Sequence, residues 1–408
     1  MSARPRLLFY CQHSVGLGHL VRSFALCRAL TRRFDVVLLC GGAVPDALEV
    51  PPGVRIVALP ALGVDADGRF GSHDASLSVE RARALRRDLL IDTLRAHRPE
   101  ALLIELFPFG RPRFAAELVP LLEAAHALGP RRPLVACSLR DILVRTRRDQ
   151  AGFDERACRI ANRWFDAILV HAERRFAPLE ESFQPRTPLE VPVHYTGYVV
   201  PNGHRPTAPA TARERRVVVS AGGGLVGAEL LRTAVQAHRL LWPIEGLRTT
   251  LVAGPFLPED QWKALAADAE GTEGLELRRA VPDLSDELRT ACASVSQCGY
   301  NTTLELLRAR IPALVVPYAP PGEDEQTRRA RRLEALGAVN VLEADRLTPA
   351  TLADALRRLP ATEPAPVALD LDGARRTPPL LAALLADHGR GRTAAPVALA
   401  QAAAGRRS

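Results

Sequence analysis

The chain has 408 residues, 47% of them hydrophobic and 25% charged, a globular balance long enough for two domains that each bury a core. Its net charge of +8 is carried almost wholly by arginine, with Lys263 the one lysine, while aromatics at 5% and the lack of a recognition motif weigh against nucleic acid. No apolar run approaches the ~20 residues that cross a bilayer, and no secretory leader is legible, so a cytoplasmic protein without a transmembrane segment is expected.

From the N-terminus, an apolar run "RLLFYC" (6–11) leads into "QHSVGLGHLVRS" (12–23) and then a helical pattern over 20–33. Glycine there lets the chain bend from strand to helix, and a histidine in such a turn is ordinarily a solvated loop residue. Further strand-like runs follow at 35–40, 54–59, 101–106, 133–138 and 167–171, separated by helical patterns at 78–97, 113–128 and 154–165. Strands that are apolar on both faces and alternate with helices indicate a parallel sheet covered on both sides. The arginine-dense runs at 81–87 and 145–148 read first as solvated helix faces; they are also the candidates for peripheral contact with an anionic membrane or ligand. Seven cysteines, at 11, 27, 40, 137, 158, 292 and 298, form no CxxC pair and suit neither a disulfide framework nor a zinc site.

The Pro-, Thr- and Ala-rich stretch 201–215 reads as a linker between a first domain (1–200) and a second (216–360). The alternation resumes with strands at 216–224, 248–254, 275–281, 293–299 and 312–318 and helices at 227–241, 258–268, 283–291, 301–309 and 325–336. From 361 to 408 the sequence is Ala/Pro-rich; 379–389 is its one apolar helical segment, and an unstructured tail is expected behind it. The fold class is therefore α/β, two tandem doubly wound Rossmann-like domains facing a cleft, with ligands expected beyond the carboxyl ends of the strands.

Those strand ends carry chemistry. Gly222, Gly223 and Gly224 lie between a strand and a helix, where backbone N–H groups can cradle phosphate oxygens. The alternative is a plain tight turn, and the spacing is not that of GxGxxG. In "SQCGYNTTLELL" (296–307), Gly299 allows close approach, and Asn301, Thr302 and Thr303 can cap a helix or donate to phosphate. Glu305, one turn on, suits a pair of ribose hydroxyls or else simply the helix dipole. Glu323, Asp324, Glu325 and Gln326 open the next helix, where a carboxylate beside an amide suits sugar hydroxyls.

The block from 296 to 338 resembles the nucleotide-sugar-binding half of GT-B glycosyltransferases, in particular the lipid II-forming N-acetylglucosaminyltransferase and diacylglycerol galactosyltransferase group. Ser296, Gly299, Thr302, Glu305, the run Pro312 to Tyr318, and Glu325-Gln326 carry the likeness. With it, "GLGHLVRS" is similar to the family's acceptor-side turn, with Gly16, Gly18 and His19 matching, although Arg22 stands where that family commonly has proline. "ELFPFGR" (105–111) and "SLRD" (138–141) resemble motifs of a predicted-glycosyltransferase branch.

The resemblance implies inverting transfer of a sugar from a nucleoside diphosphate donor, UDP for preference, to an acceptor hydroxyl. No Asp-x-Asp motif suited to a metal at the cleft is read, so no metal and no cofactor are expected. It assigns His19 as general base, with His13 its rival; Gly16, Gly18, Glu105, Arg140 and Asp141 fall on the acceptor side. Gly222, Gly223, Gly224, Val281, Gly299, Asn301, Thr302, Thr303, Glu305, Glu325 and Gln326 fall on the donor side. The acceptor, whether lipid, glycan or small molecule, is not named by the sequence. An epimerase or hydrolase using Glu105 or Asp141 as an extra carboxylate, and a non-catalytic nucleotide-sugar binder, are the competing functions.

Overall fold

A computed structural model describes residues 3–13, 18–45, 48–64, 69–200 and 213–404, without the side chains of Val64 and 391–404. Gly16 and 201–212, most of the linker, therefore lie outside the described residues. The first half runs β1 (Arg6–Cys11), α1 (Gly18–Leu30), β2 (Asp35–Cys40), β3 (Val54–Ala58), a short hairpin β4 (Leu62–Val64) and β5 (Phe70–Ser72), α2 (Val79–His97) and β6 (Ala101–Glu105). It continues with α3 (Ala115–His126), β7 (Leu134–Leu139), α4 (Gln150–Trp164), β8 (Ala167–Val170), α5 (Leu179–Ser182) and β9 (Val193–Tyr195). The second half has β10 (Glu214–Ser220), α6 (Ala228–Glu245), β11 (Arg248–Val252), α7 (Glu259–Ala269), β12 (Leu275–Arg278), α8 (Leu284–Thr290) and β13 (Ala291–Ser296). After it come α9 (Tyr300–Ala309), β14 (Ala313–Val315), α10 (Glu325–Ala335), β15 (Asn340–Val341), α11 (Pro349–Arg358) and α12 (Gly373–Ala404).

Two parallel sheets result, ordered β3-β2-β1-β6-β7-β8-β9 and β12-β11-β10-β13-β14-β15. Each reverses direction beside its first strand, so each has a switch point: between β1 and β6, and between β10 and β13. The inner strands are buried on both faces, as the unbroken apolar runs require; Leu7, Leu8, Phe9, Tyr10 and Cys11 are wholly inaccessible. One apolar cluster runs through both halves, with the Tyr198 and Tyr300 rings 5.7 Å apart at the join.

The boundaries move slightly. β10 begins at Glu214, so 214–215 belong to the second sheet rather than to the linker. Short edge strands β9 and β15 and the β4–β5 hairpin are additions. After α11 the chain returns to the first half: Asp372 bridges Val199, and the Gly373 N–H donates to the Tyr198 carbonyl at 2.9 Å. A Cβ at Gly373 would stand 2.2 Å from the Gly197 carbonyl oxygen, so only glycine permits this crossing. α12 then packs on α1 and β7, placing Leu381 in a core with Leu7 and Phe9.

Candidate active site

At the first switch point β6 ends in Glu105, fully buried, and α1 begins at Gly18-His19. His19 Nδ1 lies 2.6 Å from Glu105 Oε1, and the buried Arg22 guanidinium pairs with the same oxygen. Burial alone would raise the Glu105 carboxyl, but His19 and Arg22 hold it below the ordinary range. An ionised Glu105 only accepts hydrogen bonds, so His19 Nδ1 carries the proton and Nε2 is left as the acceptor. Burial, opposed by the Glu105 charge and aided by those of Arg140 and Arg111, pushes His19 down to about 3. The ring is therefore neutral throughout the physiological range, and Glu105 is placed to stabilise the imidazolium that forms on protonation.

His13 sits differently. Its Nε2 donates to the Ala43 carbonyl at 2.8 Å, and its ring lies where a Cβ of Gly42 would go. Unlike His19, it has a carbonyl rather than a carboxylate as its partner, with Cys40 Sγ 4.0 Å from Nδ1, so it is the weaker candidate for the base. Behind the turn, Arg86 binds Glu117 through Nε at 2.7 Å and Nη2 at 2.6 Å, Gln12 Oε1 at 2.7 Å, and the Gly41 and Pro60 carbonyls. A residue of the arginine run 81–87 is thus the buried brace of the acceptor-side loops rather than part of a solvated face.

At the second switch point, Gly222 and Gly224 have φ of 59° and 91°, and a Cβ added at Gly222 would lie 3.8 Å from Thr302 Oγ1. The Gly222 and Gly224 N–H groups are consumed within the turn, by Ser220 Oγ and the Ala221 carbonyl. A Cβ on Gly224 would lie 2.6 Å from the Ala253 carbonyl oxygen. This turn is packed closely against the backbone of 253–254, and two of its three glycine N–H groups are engaged within it. α9 is the better anion site. Its N-cap is Gly299, with no side-chain cap, and a Cβ there would meet nothing within 4 Å. Neither φ (−67°) nor packing demands glycine at 299; it leaves the helix end open. Thr302 and Thr303 are buried, the latter 3.5 Å from Cys298 Sγ. Asn301 Nδ2 reaches the Gly18 carbonyl at 3.3 Å, so the N-termini of α9 and α1 face each other across the cleft.

Among the described residues the carboxylate of Glu305, half-buried one turn along α9, has no hydrogen-bond partner; the charges that act on it are those of Asp283 and Arg308. Burial, then the nearby Asp283 charge, pushes its carboxyl up to about 7. Gln326 Oε1 accepts from the Cys298 and Tyr318 N–H groups at 2.9 and 3.1 Å, leaving its amide nitrogen for a ligand. Val281 does not end a strand: β12 stops at Arg278, and Val281 lies in the loop to α8, packed on the core.

Between the two halves stands a chain of charges. Arg329 binds Asp141 through Nε at 2.8 Å and Nη2 at 2.7 Å, the Cys298 carbonyl at 2.8 Å, and Glu325 Oε1 at 2.7 Å. Arg140 Nη2 lies 2.6 Å from Glu325 Oε2. Arg140 and Asp141, assigned to the acceptor side, instead clasp the second domain. Glu325, assigned to the donor sugar, has both oxygens engaged by arginine.

Residues 218–369 match the glycosyltransferase family 28 C-terminal domain. That match takes in most of the second half of the chain. A UDP-N-acetylglucosamine–N-acetylmuramyl-(pentapeptide) pyrophosphoryl-undecaprenol N-acetylglucosamine transferase of Rhodospirillum rubrum is 33% identical over 37% of this chain and 39% of its own length. The chain thus spans well under half of that relative. The transferase of the same name from Symbiobacterium thermophilum is 28% identical over 84% of both chains. Among solved structures, the calicheamicin glycosyltransferase CalG4 superposes with a TM-score of 0.58 over 100% of both chains at 19% identity, and Acinetobacter baumannii MurG with 0.54 over 92% of this chain and 95% of its own at 16%. The fold is GT-B, and residues 218–369 are similar to the family 28 C-terminal domain.

Sequence reasoning missed Arg22, Arg86 and Arg329 as site-building residues. The one available signal was Arg22 standing in the turn where the resembling family has proline. Among the described residues no helix is long and apolar enough to cross a membrane.

Proposed function

We propose that the protein transfers a sugar from a nucleoside diphosphate sugar, most simply a UDP-sugar, to an acceptor hydroxyl with inversion and without a metal. The observation that carries this is the opposition of the His19–Glu105 pair to the open N-terminus of α9, joined by the Asn301–Gly18 contact. On this reading the α9 N–H groups hold the diphosphate, Glu305 takes the ribose hydroxyls, and Gln326 offers its amide to the sugar. His19 Nε2 removes the proton as the acceptor oxygen bonds to the anomeric carbon. The bond from that carbon to the phosphate oxygen breaks, and its electron pair leaves on the diphosphate. Glu105 stabilises the imidazolium. The acceptor is a hydroxyl of a lipid, glycan or small molecule.

Epimerisation or hydrolysis is disfavoured, because Glu105 and Asp141, the carboxylates either reaction would recruit, are each bound by arginine. The test is incubation with UDP-sugars, with and without an acceptor mixture. Transfer predicts UDP release only when acceptor is present. Free UDP without acceptor would mean hydrolysis, and an altered sugar epimerisation; either overturns the reading.

A further inference from the structure

We propose that Arg140 is the first domain's ligand for the donor diphosphate, and that in the empty protein the Glu325 carboxylate holds its place. The inference rests on the nucleotide-sugar reading and deepens it. The clasp is unequal in its parts. Arg329 is satisfied without Glu325: Asp141 meets it in a two-point fork, and the Cys298 carbonyl takes a third N–H. Arg140, among the described residues, has Glu325 as its sole ion-pair partner. Its Nε is buried with no hydrogen-bond partner, while its side chain keeps 20% exposure to the cleft. A guanidinium presents five donors in a planar fork, and one carboxylate oxygen near Nη2 leaves most of that capacity unused.

The position of Arg140 points to what would use it. It follows β7 at the carboxyl edge of the first sheet. Its partner Glu325 opens α10 beside Gln326, which grips the Cys298 N–H, and Arg329 grips the Cys298 carbonyl. That turn runs directly into the open end of α9. Toward the other side, the Arg140 charge reaches His19 and lowers its proton affinity. Arg140 is thus paired to the helix that opens beside the anion site and near enough to the base for its charge to act there, so it can meet the negative charge that develops on a departing diphosphate. Exchanging a carboxylate for a phosphate keeps a charge-assisted pair and adds oxygens for the idle N–H groups. The exchange also frees Glu325 Oε2 for sugar hydroxyls, with Arg329 still holding Oε1.

Calorimetry with UDP, dTDP, GDP and ADP tests this, on wild type, Arg140→Gln and Glu325→Gln, with melting curves to establish folding. Removing Arg140 should weaken the best-bound nucleoside diphosphate roughly ten- to hundredfold. Removing the Glu325 charge should tighten it roughly three- to tenfold, because Arg140 no longer has to be vacated. A gain in affinity on losing a carboxylate is not what a merely structural clasp would give. Unchanged affinity in folded Arg140→Gln, or weaker binding in Glu325→Gln, would overturn this assignment alone. Failure of the wild type to bind any of the four would overturn the nucleotide reading and this inference together.

Discussion

The two halves of the cleft are built to opposite specifications. On the first-domain side the base and the loops behind it are held by internal pairs, with Arg140 the exception: Glu105 Oε1 by His19 and Arg22, Glu117 by Arg86 and the Tyr10 hydroxyl, His13 by a backbone carbonyl. On the second-domain side the groups are left wanting. α9 has no side-chain cap, Glu305 has no hydrogen-bond donor among the described residues, and the Gln326 amide nitrogen is unspent. A base must be held in one tautomer before substrate arrives, so its supports are internal. A binding site gains affinity from groups whose partners come with the ligand, at a cost to the empty protein.

The sharpest way to break this contrast is to remove one carboxylate from each side. Glu105→Gln should lower turnover by about 10²–10⁴, since the neutral amide no longer fixes the tautomer or stabilises imidazolium. It should also destabilise the protein by about 3–5 kcal/mol, because Arg22 is left buried beside a neutral group. Turnover is therefore to be scaled to the folded fraction from urea titration; a wild-type rate would remove Glu105 from catalysis.

Glu305→Gln should weaken nucleotide binding roughly ten- to hundredfold, as read by calorimetry. In the empty protein it should do the reverse of Glu105→Gln. A carboxyl whose folded pKa is raised to about 7 stabilises the fold below its unfolded value, and that contribution is lost as pH rises through about 7. Glutamine abolishes the loss, so the melting temperature at pH 8 should rise by about 2–4 °C. Destabilisation at pH 8 would mean that Glu305 is structural.

Gln326→Ala should give a smaller effect, about tenfold or less on the nucleotide sugar and less on the bare nucleotide. Equal weakening of both would assign the residue to the turn it staples rather than to the sugar. The smallest signature concerns pH. With His19 at about 3, kcat/KM should show no acid limb near 6.5. A limb centred there that persists in Glu305→Gln, where the carboxyl at about 7 is gone, would mean that the ring titrates as an exposed histidine.

Much of this contrast was hidden in the sequence, for physical reasons. Sheet strands buried on both faces announce themselves as apolar runs, which is why β1, β2, β6, β7 and β8 were legible to within a residue or two. β9 and β15, of 3 and 2 residues, are too short to establish a period. The pattern also marked Gly299, Glu305 and Gln326, because a glycine, an acid one helical turn on and an amide opening the next helix are local features. What builds the first-domain side is not local: Arg22 meets Glu105 from 83 positions away, and Arg329 meets Asp141 from 188. In sequence those arginines were indistinguishable from the many that coat the surface. Only the fold showed that Glu325, correctly noted as a helix-opening acid, already has both oxygens spoken for.

His19→Ala, followed by UDP calorimetry and turnover on the same preparation, tests the division of labour most directly. The account predicts nucleotide affinity close to wild type and a rate lower by roughly 10²–10⁴. Loss of nucleotide binding with the fold intact, or full turnover, would contradict it.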